Sequence, residues 1–354
     1  MPAQFQSPQS SEFVNPMQAP QWNLTLQQFP GATIFHTAQW AQVLAEAYGY
    51  TPHYLLSRQG DRTGVLPLME VRSALTGNRA VCLPFTDECS PLLSEGKSAA
   101  DLIGSAREVA LQKHWDYVEL RSDLAQGFDG AQLSQEFFVH HLALEASDAQ
   151  QVKKLRGSTM RNIRKSERDG VVVNHLDSTD AMHAFYDLHC LTRRRHGLPP
   201  QPRRFFDLIH QLIIQPGLGF VTSARFQNKW IAGAVYFQFG SSAIYKFGAS
   251  DPAYQHLRAN NLVMWSAIQR LQQKGIRELS FGRTDIDDEG LLQFKRGWGA
   301  VESTLRYYRV LTGSKASRTP STARQGYALT RRIAEHLPLP VLRWIGGVIY
   351  RHMG

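Results

Sequence analysis

The stretch 218-LGFVTSARFQNKWIAGAVYFQFGSSAIYKFGAS-250 predicts three consecutive β-strands and decides the fold of the second half of the chain. Apolar and aromatic residues fill 218–227, 230–240 and 243–250, and Gln227-Asn228-Lys229 supplies a turn between the first two strands. A helix over 260–275 and a strand over 276–283 are predicted next. A strand meander followed by a helix and another strand is typical of an α+β fold with one mixed sheet.

The first half predicts a similar order of elements. Helices are expected over 38–49 and 98–114, and strands over 53–58, 64–73, 79–85, 115–122 and 136–144. We therefore predict two tandem domains that are distant copies of one α+β fold. The expected organisation is a disordered tail, two domains, a polar linker and an amphipathic helical tail, at residues 1–20, 21–150, 151–312, 313–326 and 327–354.

Charge is distributed unevenly along the 354 residues, whose net charge is +9. The first 150 residues hold 8 Lys and Arg against 16 Asp and Glu, whereas the remainder holds 31 against 14. This asymmetry predicts an anionic partner for the second half, such as RNA, a nucleotide diphosphate or an acidic lipid surface, with a merely solvated basic surface as the alternative. The three cysteines have no metal-ligand spacing, so no metal is expected.

Two clusters of cations stand out in this basic half. A helix predicted over 151–170 would place Arg161, Arg164 and Lys165 on one basic face, although Gly157 could break it. The second cluster, 192-TRRRHG-197, includes Arg194, whose planar guanidinium suits a diphosphate or carboxylate. The alternative for this cluster is compensation of a helix dipole.

Three segments of the second half resemble a known family. The segments 161-RNIRKSERDG-170, 247-FGASDPAYQHLRANNLVMWSAI-268 and 281-FGRTDIDDEGLLQFKRGWG-299 are similar to the FemAB-like branch of the GNAT acyltransferases, and they occur in the same order. That branch includes enzymes that attach amino acids to peptidoglycan precursors and relatives associated with exopolysaccharide biosynthesis. The resemblance covers roughly residues 150 to 310, and residues 20 to 150 resemble a degenerate first GNAT-like domain in outline.

The resemblance implies that a substrate amine attacks an activated acyl group. In the peptidoglycan-bridge enzymes a lysine within a Phe-Lys-x-Gly-Phe-like motif lies at the reacting centre, and Lys295 occupies that position here. Its fixed charge would stabilise the oxyanion of the tetrahedral intermediate. In the same motif Phe294 and Trp298 are expected to form walls, and Gly297 and Gly299 to allow close backbone approach. Other substrate-binding candidates are Arg194, Tyr254, Arg258, Asn261, Arg283, Asp285 and Arg296.

The acyl donor is left open between aminoacyl-tRNA and acyl-CoA. Enzymes of this superfamily that use acetyl-CoA carry a glycine-rich phosphate loop, whereas the matching segment here, 255-QHLRANNLVMW-265, has Arg258 and no glycine. This departure favours a tRNA-borne or otherwise bulky donor. The acidic segment 284-TDIDDEG-290 is expected to cap the helix that carries Lys295 more than to supply a general base.

The sequence thus predicts an N-acyltransferase acting on an amine of a cell-envelope or exopolysaccharide precursor. The alternatives are an acyl-CoA-dependent N-acetyltransferase of a sugar or peptide amine, and a non-catalytic GNAT-like scaffold that binds RNA or anionic lipid. No secretion signal or bilayer-spanning apolar run is visible, so a cytoplasmic location is expected. The amphipathic segment 327–354 would either bind an anionic membrane surface or dock on the protein itself.

Overall fold

The computed structural model describes residues 10–59, 62–312 and 334–354. Its helices are α1 (Trp22–Leu26), α2 (Ala38–Tyr48), α3 (Ala99–Gln112), α4 (Asp148–Lys154), α5 (Gly157–Arg168), α6 (Thr179–Arg195), α7 (Arg203–Ile209), α8 (Ala259–Gln273), α9 (Glu289–Arg296) and α10 (Leu339–Ile349). Its strands are β1 (Ser10–Val14), β2 (Thr51–Pro52), β3 (Tyr54–Gln59), β4 (Arg62–Leu66), β5 (Met69–Ser73), β6 (Gly77–Val81), β7 (Leu92–Leu93), β8 (Tyr117–Leu120), β9 (Ala131–Ala143), β10 (Val172–Leu176), β11 (Gly219–Phe226), β12 (Lys229–Phe239), β13 (Ser242–Ser250), β14 (Glu278–Asp285) and β15 (Val301–Leu311).

The chain divides into two compact units. Among the described residues, the first unit contains 10–59, 62–136, 305–312 and 351–354, and the second contains 137–304 and 334–350. Strands β9 and β15 therefore each begin in one unit and end in the other. Helices and strands are abundant in both units, which confirms the predicted α+β class.

In the first unit, β6 and β8 run parallel and are joined by α3. A helix is the usual connection between parallel strands, because the chain must cross back to the starting edge of the sheet. Strand β5 pairs antiparallel with β6, and the end of β15 pairs antiparallel with β8. A second small sheet has the order β1-β3-β4-β7.

Two predictions for the first unit are corrected. The strand expected over 64–73 is two strands, because Pro67 between them has no amide hydrogen to donate to a ladder. The tail expected to be disordered over residues 1–20 is ordered from Ser10, because Ser10–Val14 pairs antiparallel with Tyr54–Arg58 of β3. Residues 1–9 lie outside the described part of the chain.

The second unit also combines antiparallel strands with one parallel pair joined by a helix. Strands β11, β12 and β13 form the predicted antiparallel meander, β10 pairs antiparallel with β11, and β13 pairs parallel with β14 across the connecting helix α8. Gln227 and Asn228 both have positive φ, 48° and 64°, as a tight hairpin turn requires. The core between α5, α8 and the sheet is built from Ile163, Ile268, Tyr236, Phe281 and Trp298, among other buried residues.

The single helix predicted over 151–170 is wrong. It is two helices, α4 and α5, separated at Leu155 and Arg156, which have extended backbones. The amide of Arg156 donates 3.0 Å to the carbonyl oxygen of Gly297 instead of continuing a helical ladder. The break therefore falls just before Gly157, the position at which the sequence indicated it.

Of the predicted C-terminal tail, the structure describes Ala334 onwards, and the linker 313–326 lies outside the described residues. Helix α10 begins after its N-cap Pro338, and Pro340 lies in its first turn, where proline is favoured because no helical hydrogen bond is lost. No helix in the described ranges is long and apolar enough to cross a membrane.

Candidate active site

Strands β13 and β14 run parallel but separate part-way along their length. In the described sheet, pairing joins Ser242–Ile244 to Glu278–Ser280, although the strands continue to Ser250 and Asp285. The rings of Tyr245 and Phe281 lie where this pairing ends, with centroids 6.3 Å apart. The carboxyl ends of the two strands therefore flank an opening, and that edge is where α/β sheets bind ligands.

A pocket of about 260 Å³ lies at the carboxyl end of β13, beside the N-terminus of α8. Its lining combines apolar walls with several polar side chains, and consists of Ile231, Ser250, Tyr254, Gln255, Arg258, Ala259, Asn260, Asn261 and Phe294. Four predicted substrate-binding residues, at positions 254, 258, 261 and 294, are thus brought together. The sequence interpretation missed Ser250 and Gln255, although Ser250 ends a predicted strand, where ligand-binding residues concentrate.

Arg258 adopts an unusual backbone conformation at this helix N-terminus. Its φ is +57°, in the left-handed region that glycine favours, and it is the N-cap residue of α8. A non-glycine residue in this conformation costs about 1–2 kcal/mol. Helix N-termini attract anions through their free amides and dipole, and the exposed guanidinium adds a full charge at the same place. An arginine therefore stands where a phosphate-binding loop would carry glycine.

Lys295 is nearly completely buried, with 1% of its surface exposed. Its Nζ donates 2.8 Å to the carbonyl oxygen of Gly282 and 3.1 Å to that of Arg283. Both carbonyls belong to a β-bulge in β14, where the register against β9 shifts and Gly282 has a φ of +67°. Since buried carbonyls require a donor, Lys295 supplies one at the bulge. Its oxyanion role stays a prediction.

Arg296 is engaged on the other side of α9. Its guanidinium makes a bidentate ion pair with Glu302, with both N–O distances 2.7 Å. Glu302 also contacts Nε2 of His140 at 2.8 Å. Burial lowers the pKa of His140, and the positive charge of Lys295 lowers it further. The substrate-binding role predicted for Arg296 would therefore require release of this ion pair.

The remaining motif residues have different surroundings. Trp298 is completely buried in the core and does not line the pocket, but its ring packs edge-on against Phe294 at 6.0 Å. The two glycines do allow close approach, as predicted. A Cβ at Gly297 would lie 2.6 Å from Oγ1 of Thr159, and one at Gly299 would lie 2.6 Å from the carbonyl oxygen of Lys154.

Three other candidates lie outside the pocket. Arg194 is half-buried in the last turn of α6, Arg283 places its guanidinium 4.3 Å from the ring centroid of Phe137, and Asp285 is exposed at the end of β14. In the acidic segment, Asp288 is the N-cap of α9 and its side chain accepts from the amide of Leu291 at 3.0 Å. This confirms the capping role expected for that segment.

The predicted anion-facing residues lie on α5. Arg161 and Arg164 are exposed, and within the described residues neither forms an ion pair. Lys165 is half-buried and pairs with Asp169, whose pKa is lowered mainly by this contact. Thr159 anchors the helix by donating 2.9 Å to the carbonyl oxygen of Gly297. Helix α5 is therefore fixed to the motif that follows α9, with its arginines outward.

Comparison with known proteins agrees with this geometry. Residues 153–296 match the family model described as an acetyltransferase (GNAT) domain, so this part of the chain is a GNAT acyltransferase domain. The protein is accordingly an acyltransferase, which disfavours the scaffold alternative. No protein with a curated description matches the sequence significantly.

Several solved structures share the fold at low sequence identity. FemX is 12% identical, with a TM-score of 0.68 over 91% of this chain and 100% of its own. The C-terminal domain of a putative lysylphosphatidylglycerol synthetase from Agrobacterium fabrum is 15% identical, with a TM-score of 0.53 over 82% and 91%. A tandem GNAT protein from the clavulanic acid pathway is 10% identical, with a TM-score of 0.57 over 87% and 100%. These similarities confirm the tandem GNAT-like fold and support the FemAB-like resemblance.

Proposed function

We propose that the protein forms an amide bond on an amine of a cell-envelope or exopolysaccharide precursor, at the inner face of the cytoplasmic membrane. The observation that carries this proposal is the pocket at the carboxyl end of β13, where Arg258 forms the N-cap of α8. Positive potential concentrated there suits a donor that carries phosphate groups. Aminoacyl-tRNA and acyl-CoA both meet that description.

The reaction needs no covalent enzyme intermediate. The amine nitrogen attacks the carbonyl carbon of the donor and forms a C–N bond, and the carbonyl electrons move to oxygen. Collapse of this intermediate breaks the ester C–O bond of aminoacyl-tRNA or the thioester C–S bond of acyl-CoA. The leaving group takes up a proton while the nitrogen gives one up, so the protons balance.

We propose that Lys295 stabilises the oxyanion of this intermediate, as the family resemblance implies. In the present structure its ammonium bonds to the carbonyls of Gly282 and Arg283 and is buried. The proposal therefore requires that donor binding shift α9 enough to bring the ammonium toward the acyl oxygen. Phe294, one residue earlier, already lines the pocket, so a small rotation of α9 would change both positions.

We favour aminoacyl-tRNA as the donor, because two features suit a long polyanion. Arg161 and Arg164 on α5 present exposed charge beyond the pocket, and Arg258 replaces the glycine that a compact phosphate cradle would need. Acyl-CoA is the second candidate, since the matching family model is that of an acetyltransferase domain.

The two donors can be separated by direct transfer assays. The purified full chain would be incubated with an amine-bearing envelope precursor and either aminoacyl-tRNA or acetyl-CoA, and the product mass recorded. We expect an added aminoacyl mass with the tRNA donor, and its loss in Arg258→Gln. An added acetyl mass would establish the second candidate, and an unchanged mass with both donors would contradict the proposed reaction.

A matched variant makes the assay specific to the pocket. Arg225→Gln removes an arginine from β11 whose guanidinium packs on Trp230 and does not line the pocket. Transfer by this variant is expected to equal that of the unchanged protein. Equal loss in both variants would indicate a general effect of basic charge on the donor instead of a site at Arg258.

A further inference from the structure

Helix α10 is attached to the second unit by one narrow face. Leu342, Gly346 and Tyr350 follow at intervals of four residues, so they lie along one side of the helix, and all three are buried. The backbone of α10 approaches the α6–α7 connection closely at Gly346. A Cβ there would lie 2.0 Å from the carbonyl oxygen of Pro200, so only glycine fits.

Polar contacts fix the rotation of the helix about its axis. Arg343 donates 2.7 Å to Asp187 and lies 5.3 Å from the ring centroid of Tyr186 on α6. The hydroxyl of Tyr350 donates 3.0 Å to the carbonyl oxygen of Pro199. Its oxygen also accepts 2.6 Å from the guanidinium of Arg193. These contacts therefore fix which side of α10 faces away from α6.

That outward face is apolar and exposed. Trp344 has 71% of its surface exposed, Val348 46% and Val341 41%, and these positions lie within one third of a turn of each other. Such a cluster is unusual, because exposed apolar side chains on a globular protein are normally scattered singly. Tryptophan at the edge of an apolar strip is characteristic of segments that lie in the interface of a bilayer.

The chain segment against which α10 packs is rich in arginine. Residues 193–204, which contain the α6–α7 connection that holds α10, include five arginines and no aspartate or glutamate. Basic residues beside a membrane-facing helix are attracted to anionic headgroups. Each one adds to the binding free energy without needing a complementary contact surface. Apolar side chains and arginines thus occur together on the part of the unit that carries α10.

A lipid surface fits this strip better than a second protein does. An 11-residue helix is about 16 Å long, and one face of about 10 Å width covers roughly 160 Å². Stable protein interfaces bury about 800 Å² on each partner, so the strip is several-fold too small. A bilayer interface imposes no such minimum, because shallow insertion of a few apolar side chains adds to electrostatic attraction.

We propose that the outward face of α10, which carries Trp344, and the arginine-rich segment 193–204 form a membrane-docking surface for anionic phospholipid. The helix stays docked on α6 and contributes Val341, Trp344 and Val348 to the lipid interface. This proposal rests on the proposed function, because the docking surface would hold the enzyme near a precursor at the membrane. Its test contains no acyl donor or acceptor, so its failure would leave the transfer reaction unaffected.

The test is co-sedimentation of the full chain with vesicles of phosphatidylglycerol and phosphatidylcholine, compared with vesicles of phosphatidylcholine alone. We expect binding to the anionic vesicles, weaker binding as salt is raised, and little binding to the neutral ones. Trp344→Ser should reduce the partition coefficient about tenfold, and Arg195→Gln by a few-fold. Both side chains have little or no part in the core, so both variants should fold.

The matched control is Leu75→Ser, which removes a side chain that is 75% exposed in the first unit. It should bind vesicles as the unchanged protein does. Absence of binding to anionic vesicles, or equal binding by the Trp344 variant, would overturn the proposal. A vesicle-free dimer that is lost in Trp344→Ser would also overturn it, since the strip would then cover a second copy of the chain.

Discussion

The Nζ atom of Lys295 lies 2.8 Å from the main-chain carbonyl oxygen of Gly282, a residue with left-handed backbone at the bulge of β14. This contact links the lysine that resembles the catalytic lysine of FemAB-like enzymes to the place where β14 separates from β13. The same ammonium would therefore serve the bulge in the free enzyme and the oxyanion during transfer. Substitutions at this position should change both stability and turnover.

Replacement of the buried ammonium tests this double role. Lys295→Met should reduce acyl transfer at least a hundredfold, because a fixed cation at an oxyanion is worth several kcal/mol in the transition state. It should also lower the free energy of unfolding by about 2–5 kcal/mol, since two buried carbonyls lose their donor. Turnover would be measured with folded protein at low temperature, and stability by denaturant unfolding.

The control for this variant is Lys229→Met, which makes the same chemical change at the exposed first residue of β12. Neither turnover nor stability should change by more than a small amount. Full transfer activity in Lys295→Met would contradict an oxyanion role, even if stability fell as expected.

Substitution of Arg258 by glycine should raise the free energy of unfolding but weaken binding of the acyl donor. Arg258→Gly relieves the cost of the left-handed backbone and should raise the free energy of unfolding by about 1 kcal/mol, offset in part by the flexibility of glycine in the unfolded chain. Donor binding should weaken about tenfold or more, because the charge at the N-terminus of α8 is lost. Calorimetric titration of the donor and denaturant unfolding report the two quantities separately.

Comparison with Arg258→Lys distinguishes charge from backbone conformation. Lysine keeps the positive charge and the strained φ, so donor affinity should fall less and stability should not rise. A variant Arg258→Gly that bound the donor normally would show that this arginine does not hold the donor's phosphate.

Two glycines of the same motif should respond to alanine in opposite ways. Gly299→Ala should destabilise the second unit by more than about 2 kcal/mol, because φ is +75° and the new Cβ would lie 2.6 Å from the carbonyl oxygen of Lys154. Gly290→Ala, in the first turn of α9, meets no close contact and should raise helix stability by up to about 1 kcal/mol. Denaturant unfolding of both variants at one pH provides the comparison.

Stability should decrease as the solution is acidified below neutrality. Burial lowers the pKa of His36 to about 4, of His175 to about 4 and of His189 to about 3, against about 6.5 in the unfolded chain. Between those values the unfolded state binds more protons than the folded state. The free energy of unfolding therefore falls as pH drops from about 7 toward 4, by up to about 1.4 kcal/mol per pH unit for each histidine.

His189→Gln tests one of these contributions. His189 is buried among Phe185, Phe206 and Phe247, and its Nε2 contacts Gln201 at 2.8 Å. The variant should be less stable at neutral pH. The slope of its free energy of unfolding against pH should be smaller by the contribution of about one bound proton. An unchanged slope between pH 4 and 6.5 would show that His189 does not remain neutral in the folded protein.

Much of the fold followed from local sequence patterns. The three strands of the 218–250 meander, its turn and helix α8 lie within a few residues of their predicted limits, because alternation, turn residues and helical spacing are local properties. The prediction of one helix over 151–170 was wrong because its break depends on a carbonyl at Gly297, more than 100 residues later. No pattern within the segment contains that acceptor.

The sequence by itself determined the α+β order of both halves and the capping of α9 by the acidic segment 284–290, and the family resemblance added the close approach at Gly297 and Gly299. Only the tertiary structure decided which side chains meet. It placed Arg258 and Phe294 in one pocket, directed Lys295 to the bulge of β14, and left Trp344 outward on a helix whose other face is docked. The physical reason is that element type depends on neighbours in the chain, whereas burial and partner choice depend on groups that only folding brings together.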